Sequence, residues 1–232
     1  MNYLTSISIT SLALILSTIL VYASMFRYIY SIIAGHTKPN IVWWLLYEIA
    51  TICILISSYE LGSLPTIMLS LAFAITQLIV IVLAFRYGYA KMDRVEAIYF
   101  GISMISLLFW IIAKHSPEVT EMLGMSERWL AVFLLTTNTL IDAMWATAIF
   151  TKLYKHPETE DKYAWMLGWI SGLFAILAVH AWSFEDIVYP TYLFISNIAI
   201  WLLCFRKKPR WRLIHVFSWI ERVVGTNWRG KE

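Results

Sequence analysis

Charge is scarce in this chain: Asp, Glu, Lys and Arg together make up 14% of its 232 residues. Soluble domains carry about 25%, so the polar surface that would coat a water-soluble fold is missing. Cysteine is scarcer still, at two residues, Cys53 and Cys204. They fall at different depths of separate apolar segments, and a disulfide needs Cα atoms within about 7 Å, so they are read as separate thiols. Catalytic patterns are absent too: no nucleophile–base pair, glycine-rich phosphate loop or HExxH motif occurs. The chain is therefore not expected to be an enzyme or to need a cofactor. His36 and His156 have no companions at ligand spacing, so no metal is expected.

In place of charge stand apolar residues, 60% of the chain, and aromatics, with 12 Trp, 13 Tyr and 12 Phe. Aromatics in such number suit two belts at lipid–water boundaries. Seven segments, near 6–30, 41–59, 64–85, 95–113, 129–151, 163–181 and 187–205, approach or exceed the roughly 20 residues that a helix needs to cross a bilayer. They are apolar all round rather than alternating, which argues against barrel strands. Backbone groups in lipid must also be satisfied within their own segment. The expected fold is an all-α integral membrane protein of seven transmembrane helices. The first segment lacks a basic n-region and leads into a second span, so it is read as a helix and not as a leader. Of the 18 Lys and Arg, only Lys114 and Arg128 fall on one side. The positive-inside rule then puts the amino terminus outside and the carboxyl terminus inside. The net charge of +3 follows from that topology and points to no nucleic-acid partner.

Two turns echo each other. "GHTKPNIVWW" at 35–44 and "KHPETEDKYAWMLGW" at 155–169 each place a Trp six residues after a Thr, as Thr37–Trp43 and Thr159–Trp165. Another aromatic follows four residues on, Tyr47 or Trp169. "PTIMLSLAFAI" from Pro65 and "PTYLFISNIAI" from Pro190 then open the third helix of each copy. Thr37 and Thr159 are expected to cap the helices that follow, with Pro39 and Pro157 stiffening the way in. The chain thus divides into a first three-helix repeat (1–92), a linker helix with an external loop (93–126), a second three-helix repeat (127–206) and a tail (207–232). Both repeats begin outside and end inside, which makes them parallel, with the fourth helix as the extra crossing.

This 3+1+3 plan resembles the PQ-loop and SWEET superfamily of sugar carriers, proton-coupled amino-acid exporters and cargo receptors. It is most similar to a group of bacterial membrane proteins with "TKPN" ahead of a Trp in one turn and an Asp fifteen residues before "PETE" in the other, a spacing kept here by Asp142 and Pro157. "WSFEDIVYPTYL" at 182–193 is similar to that group's last external turn. The resemblance implies a parallel-repeat fold in a bacterial inner membrane. It departs in two ways: there is no Pro-Gln dipeptide, and no proline lies within 6–30 or 129–151, where carriers of the superfamily have a hinge.

Two acids fall inside expected spans, Glu48 and Asp142. A charge at mid-bilayer costs about 2.5–3.5 kcal/mol on insertion scales, so such residues face the protein interior or a wet cavity. Asn138, one turn before Asp142, and Trp145, three residues after it, are read with it as the wall of a central pocket. Asn197 and Gln77 would supply hydrogen bonds to a small polar solute. Asp142, with Glu48, is the candidate for carrying a proton. Each of these has a plainer reading as an interhelical clamp, and Glu48 as a residue reaching the interface. The tail, "RKKPRWRLIHVFSWIERVVGTNWRGKE", reads as a basic amphipathic helix on anionic lipid or as a docking helix for a cytoplasmic partner. The leading expectation is a small-solute carrier, possible as a homo-oligomer. The alternative is a non-transporting receptor or assembly scaffold on the same fold.

Overall fold

A computed structural model describes residues 8–90 and 94–206, with some side chains between 95 and 155 left aside. The tail at 207–232 lies outside the described residues. Among the described residues eight α-helices follow one another: α1 (Ile9–Ile33), α2 (Ile41–Leu61), α3 (Leu64–Tyr87), α4 (Arg94–His115), a short α5 (Pro117–Leu123), α6 (Glu127–Lys155), α7 (Lys162–Leu177) and α8 (Phe184–Cys204), with a 3-10 turn at Pro157–Thr159. Among the described residues the only extended pairing is an isolated bridge between Asn40 and Tyr89.

The burial pattern is inverted relative to a soluble helix bundle. The inward face of α1 carries Ser17, Ser24 and Ser31, all buried, while Ile19, Phe26 and Tyr30 are more than half exposed. On α3, Thr66, Ser70, Thr76 and Gln77 are buried, while Leu78, Val82 and Phe85 face out. Polar groups inside and an apolar rim outside are what lipid demands of a helix bundle. Among the described residues four helices, α1, α2, α3 and α8, are long and apolar enough to cross a membrane, and the described stretch Phe100–His115 of α4 and the 16-residue α7 are shorter apolar helices. The described residues are all-helical, with the make-up of an integral membrane protein.

Packing follows from small and hydroxyl-bearing side chains. α1 and α7 run antiparallel: the Ser17 hydroxyl donates to the Ser171 carbonyl at 3.0 Å, Ser171 returns the bond to the Ser17 carbonyl at 3.1 Å, and Ser24 donates to the Ala164 carbonyl at 2.8 Å. Gly172 lets α7 close on α8, where a Cβ would stand 2.8 Å from the Phe194 backbone nitrogen. α3 lies against both α1 and α2, and α8 against both α6 and α7. Across the molecule α1 packs on α7, α2 on α6, and α3 meets α8, while α4 leans on α6. Buried residues of all these helices except α4 form two apolar clusters, one around Val21, Ile54, Leu69 and Leu135 and the other around Trp43, Ile149 and Leu153.

Three sequence expectations are corrected at the helix starts. Asn40, not Thr37, caps α2, accepting the Val42 N–H at 3.1 Å; Thr37 is spent on Ser31, 2.8 Å away. Asp161, not Thr159, caps α7, accepting from Tyr163 and Ala164, and the Thr159 hydroxyl turns back to the His156 carbonyl. A short carboxylate or carboxamide immediately before the helix reaches the first-turn amides better than a hydroxyl several residues back. Pro190 does not open its helix. α8 starts at Phe184, with Glu185 and Asp186 in its first turn, so Pro190 sits inside it. α7 also stops at Leu177, and the chain turns through Trp182 at φ 48°.

Candidate functional site: an aromatic and acidic cavity

The two turns share one end of the bundle. At the α1–α2 turn the Ile41 N–H donates to the Tyr89 carbonyl and the Tyr89 N–H to the Pro39 carbonyl, pinning it to the end of α3. Gly88 permits that approach, since a Cβ there would stand 2.4 Å from the Pro39 oxygen. At the 3-10 turn, Asp161 carries an ion pair to Arg27 of α1, 2.9 Å away, and the Arg27 guanidinium lies over the Tyr30 and Tyr163 rings. Beyond these turns the helices leave a cavity of about 100 Å³.

Lys38, Pro39 and Glu160 rim the cavity at the turn end, and Asp142, Gln77 and Tyr189 line its depth. Past Tyr189 the cavity ends against Val21, Ile54, Leu69 and Leu135, which do not line it and, each at most 1% exposed, pack into an apolar core. Ion pairs close that far end further out, Lys114 with Glu60 and Arg128 with Glu185. The cavity is therefore one-sided.

Four aromatic side chains form its middle. The Tyr28 ring lies 5.3 Å from Trp44 and 6.4 Å from Trp165, and Trp44 lies 5.9 Å from Tyr47. Trp44 and Trp165 each stand four residues after their helix's cap, so the two turns match at Trp44 when counted from the caps. Trp43, the residue expected to match, is buried and lines the cavity wall. The Trp165 indole N–H donates to Glu160 at 3.2 Å, which holds a carboxylate at the rim.

The deep end is acidic and poorly satisfied. Asp142 is 4% exposed, and its Oδ1 has no hydrogen-bond partner. Tyr192 is the carboxylate's hydrogen-bonding neighbour, and Tyr47 and Tyr189 stand within electrostatic reach of it. Gln77 Oε1 is a second orphaned acceptor in the lining. Asn197 reaches the cavity beside Gly168, where a Cβ would stand 3.1 Å from its amide nitrogen. Buried polar atoms without partners are uncommon in folded proteins and ask for a ligand, a water or an ion.

Of the expected site residues, Asp142, Asn197 and Gln77 come together in this cavity. Asn138 does not line it. Its amide accepts from Ser103 at 3.0 Å and donates to Ser106 at 3.2 Å, clamping α6 to α4. Glu48 is buried with Oε2 unpartnered, but it is outside the lining. The Trp145 side chain lies outside the described residues. Thr159 and Pro157 belong to the turn and not to the wall. Sequence reasoning missed Tyr28, Tyr47, Glu160, Tyr189 and Tyr192. The signal was available on α8, where Tyr189, Tyr192, Leu193, Ser196, Asn197 and Ile200 repeat at three- and four-residue steps, marking one polar-aromatic face on an apolar helix. Cys53 and Cys204 are free thiols. Among the described residues no group of three or more His, Cys, Asp or Glu could hold a metal ion. No protein-family model, curated protein or solved structure matches the chain.

Proposed function

We propose that the protein is a small-solute membrane carrier, with its site in the cavity between α1–α3 and α6–α8. The carrying observation is a one-sided cavity at the meeting of the two helix groups, whose deepest polar atoms, Asp142 Oδ1 and Gln77 Oε1, have no partner. A site shut on one side by apolar packing is what one state of an alternating-access cycle would look like.

The reading includes the two groups as parallel repeats with α4 as the extra crossing. In its support, exchanging α1 with α6, α2 with α7 and α3 with α8 turns the main packing pairs among these six helices into observed pairs, with α4 packed mainly on α6 outside the exchange. It also places the turns and the carboxyl terminus in the cytoplasm of a bacterium, because Arg27, Lys38, Arg86, Lys162 and Arg206 gather at the turn end. The cavity then faces inward. Asp142 is the proton-coupling residue, since a carboxylate at that depth is costly unless neutralised by a proton or a cation.

The test is a thermal-shift screen of the purified full chain against sugars, amino acids, amines and organic acids at acidic and neutral pH. A ligand at about a hundred times its dissociation constant adds about 2.7 kcal/mol. A hit that loses its pH dependence in Asp142→Asn, in a variant that melts like the parent, supports the carrier. Cysteines placed along α6 should then react from either side in turn. Silence across the panel, with labelling from one side alone, returns the chain to the scaffold reading.

A further inference from the structure

The lining also constrains what kind of solute the cavity accepts. Its charged groups are Asp142 at the bottom and Glu160 and Lys38 at the rim, and Lys38 is the exposed one, on the solvent side. Between the two carboxylates stand the rings of Tyr28, Trp44, Tyr47 and Trp165, with Tyr47 in electrostatic reach of both acids. Electron-rich ring faces attract a cation by about 0.5–2 kcal/mol each, most when it is desolvated. A neutral solute would gain apolar contact from such walls and could donate hydrogen bonds to the acids, but it would gain neither the ring–cation attraction nor charge pairing; an anion would meet repulsion at Asp142, with Lys38 offsetting Glu160 only at the rim. Asp142 adds an independent observation: a buried oxygen that no protein group satisfies.

We infer that the solute is a compact organic cation, a quaternary ammonium or protonated amine without a carboxylate, held among the Tyr28, Trp44, Tyr47 and Trp165 rings with its charge between Asp142 and Glu160. The inference rests on the carrier reading and names its substrate class. The small cavity, about 100 Å³, favours a compact headgroup over a long or branched one. Because the acids lie at different depths, a cation can meet Glu160 first and move inward to Asp142, with the rings replacing its hydration on the way. No covalent or redox step is involved.

Choline and its uncharged isostere 3,3-dimethylbutan-1-ol are the probes, with glucose and glycine beside them, on the full-length protein in detergent by calorimetry and thermal shift. Choline should bind at least about tenfold more tightly than the isostere, the size of a desolvated cation–ring contribution. Trp44→Leu and Asp142→Asn should each weaken choline by about tenfold or more while leaving the melting of the ligand-free protein near the parent's. If Asp142→Asn proves unstable, Glu160→Gln takes its place, with a smaller loss expected at the rim. Equal binding of choline and the isostere overturns the cation class, as does preferred binding of glucose or glycine. Either of those results leaves a solute site standing. No binding by any probe, together with no choline counterflow in proteoliposomes, overturns the cation class and the carrier reading together.

Discussion

The α1–α2 turn and the 3-10 turn before α7 do the same local job by different means. Each ends in an Asx cap, Asn40 or Asp161, and each places a tryptophan four residues later at the cavity. Their outward ties differ. The first turn is bonded to the end of α3, inside its own helix group, by backbone hydrogen bonds that do not respond to a side-chain change. The second reaches across to α1 through Arg27 and holds Glu160 at the rim through Trp165. One turn is built as a fixed wall and the other as a contact between groups. Similar local geometry at the two turns therefore does not imply the same duty, and substitutions at matching positions should separate the two.

The largest separation is expected inside the helix pairs. Counted from the caps, Gly172 of α7 corresponds to Thr51 of α2, and both are buried. Alanine for glycine within a helix ordinarily stabilises by up to about 1 kcal/mol. At Gly172 the added methyl would press on the Phe194 backbone, and overpacking costs about 1–3 kcal/mol. Gly172→Ala should thus lower the melting temperature, while Thr51→Ala should move it little. If Gly172→Ala melts at or above the parent, α7 and α8 are not packed as described.

A second contrast lies one helical turn apart on α6. Asn138 is fully engaged with α4, whereas Asp142 faces the cavity with an oxygen to spare. Asn138→Ala should cost about 0.6–2 kcal/mol of stability, the range for interhelical hydrogen bonds in membranes, and leave ligand binding unchanged. Asp142→Asn should do the opposite. Measuring melting and binding on both variants decides it. A binding defect in Asn138→Ala would extend the site to α4.

These neighbours also mark where the sequence stops being legible. Apolar runs and their lengths locate the helices, because lipid imposes the same requirement on every span. The Thr and Pro of the turns locate the reversals, yet the caps fall to Asn40 and Asp161. Four residues of one helix face subtend a small angle, so Asn138 and Asp142 read as partners. Which of two adjacent helices each one meets depends on tertiary packing that spacing alone does not encode. Tyr189 and Tyr192 are hidden for a different reason. Aromatics near a span's end fit an interfacial belt, and only the packing of α8 against α6 shows that Tyr189 and Tyr192 stand beside Asp142.

The smallest effects sharpen the turn comparison itself. Asn40→Ala and Asp161→Ala each remove a cap worth about 1 kcal/mol. Asp161→Ala also removes the partner of Arg27, and Arg27→Ala removes the same pair from the other side. With the Arg27 side chain 38% exposed, solvent screens the pair to about 0.2–1 kcal/mol. A double-mutant cycle between Arg27 and Asp161 should return coupling of that size, whereas Arg27 with Asn40 should return none. Added salt should shrink the first coupling and leave both caps untouched, because capping is local and the pair meets solvent through Arg27. Coupling of Arg27 to both caps alike would mean that the two turns respond as one body, and the fixed wall would lose its distinction from the contact between groups.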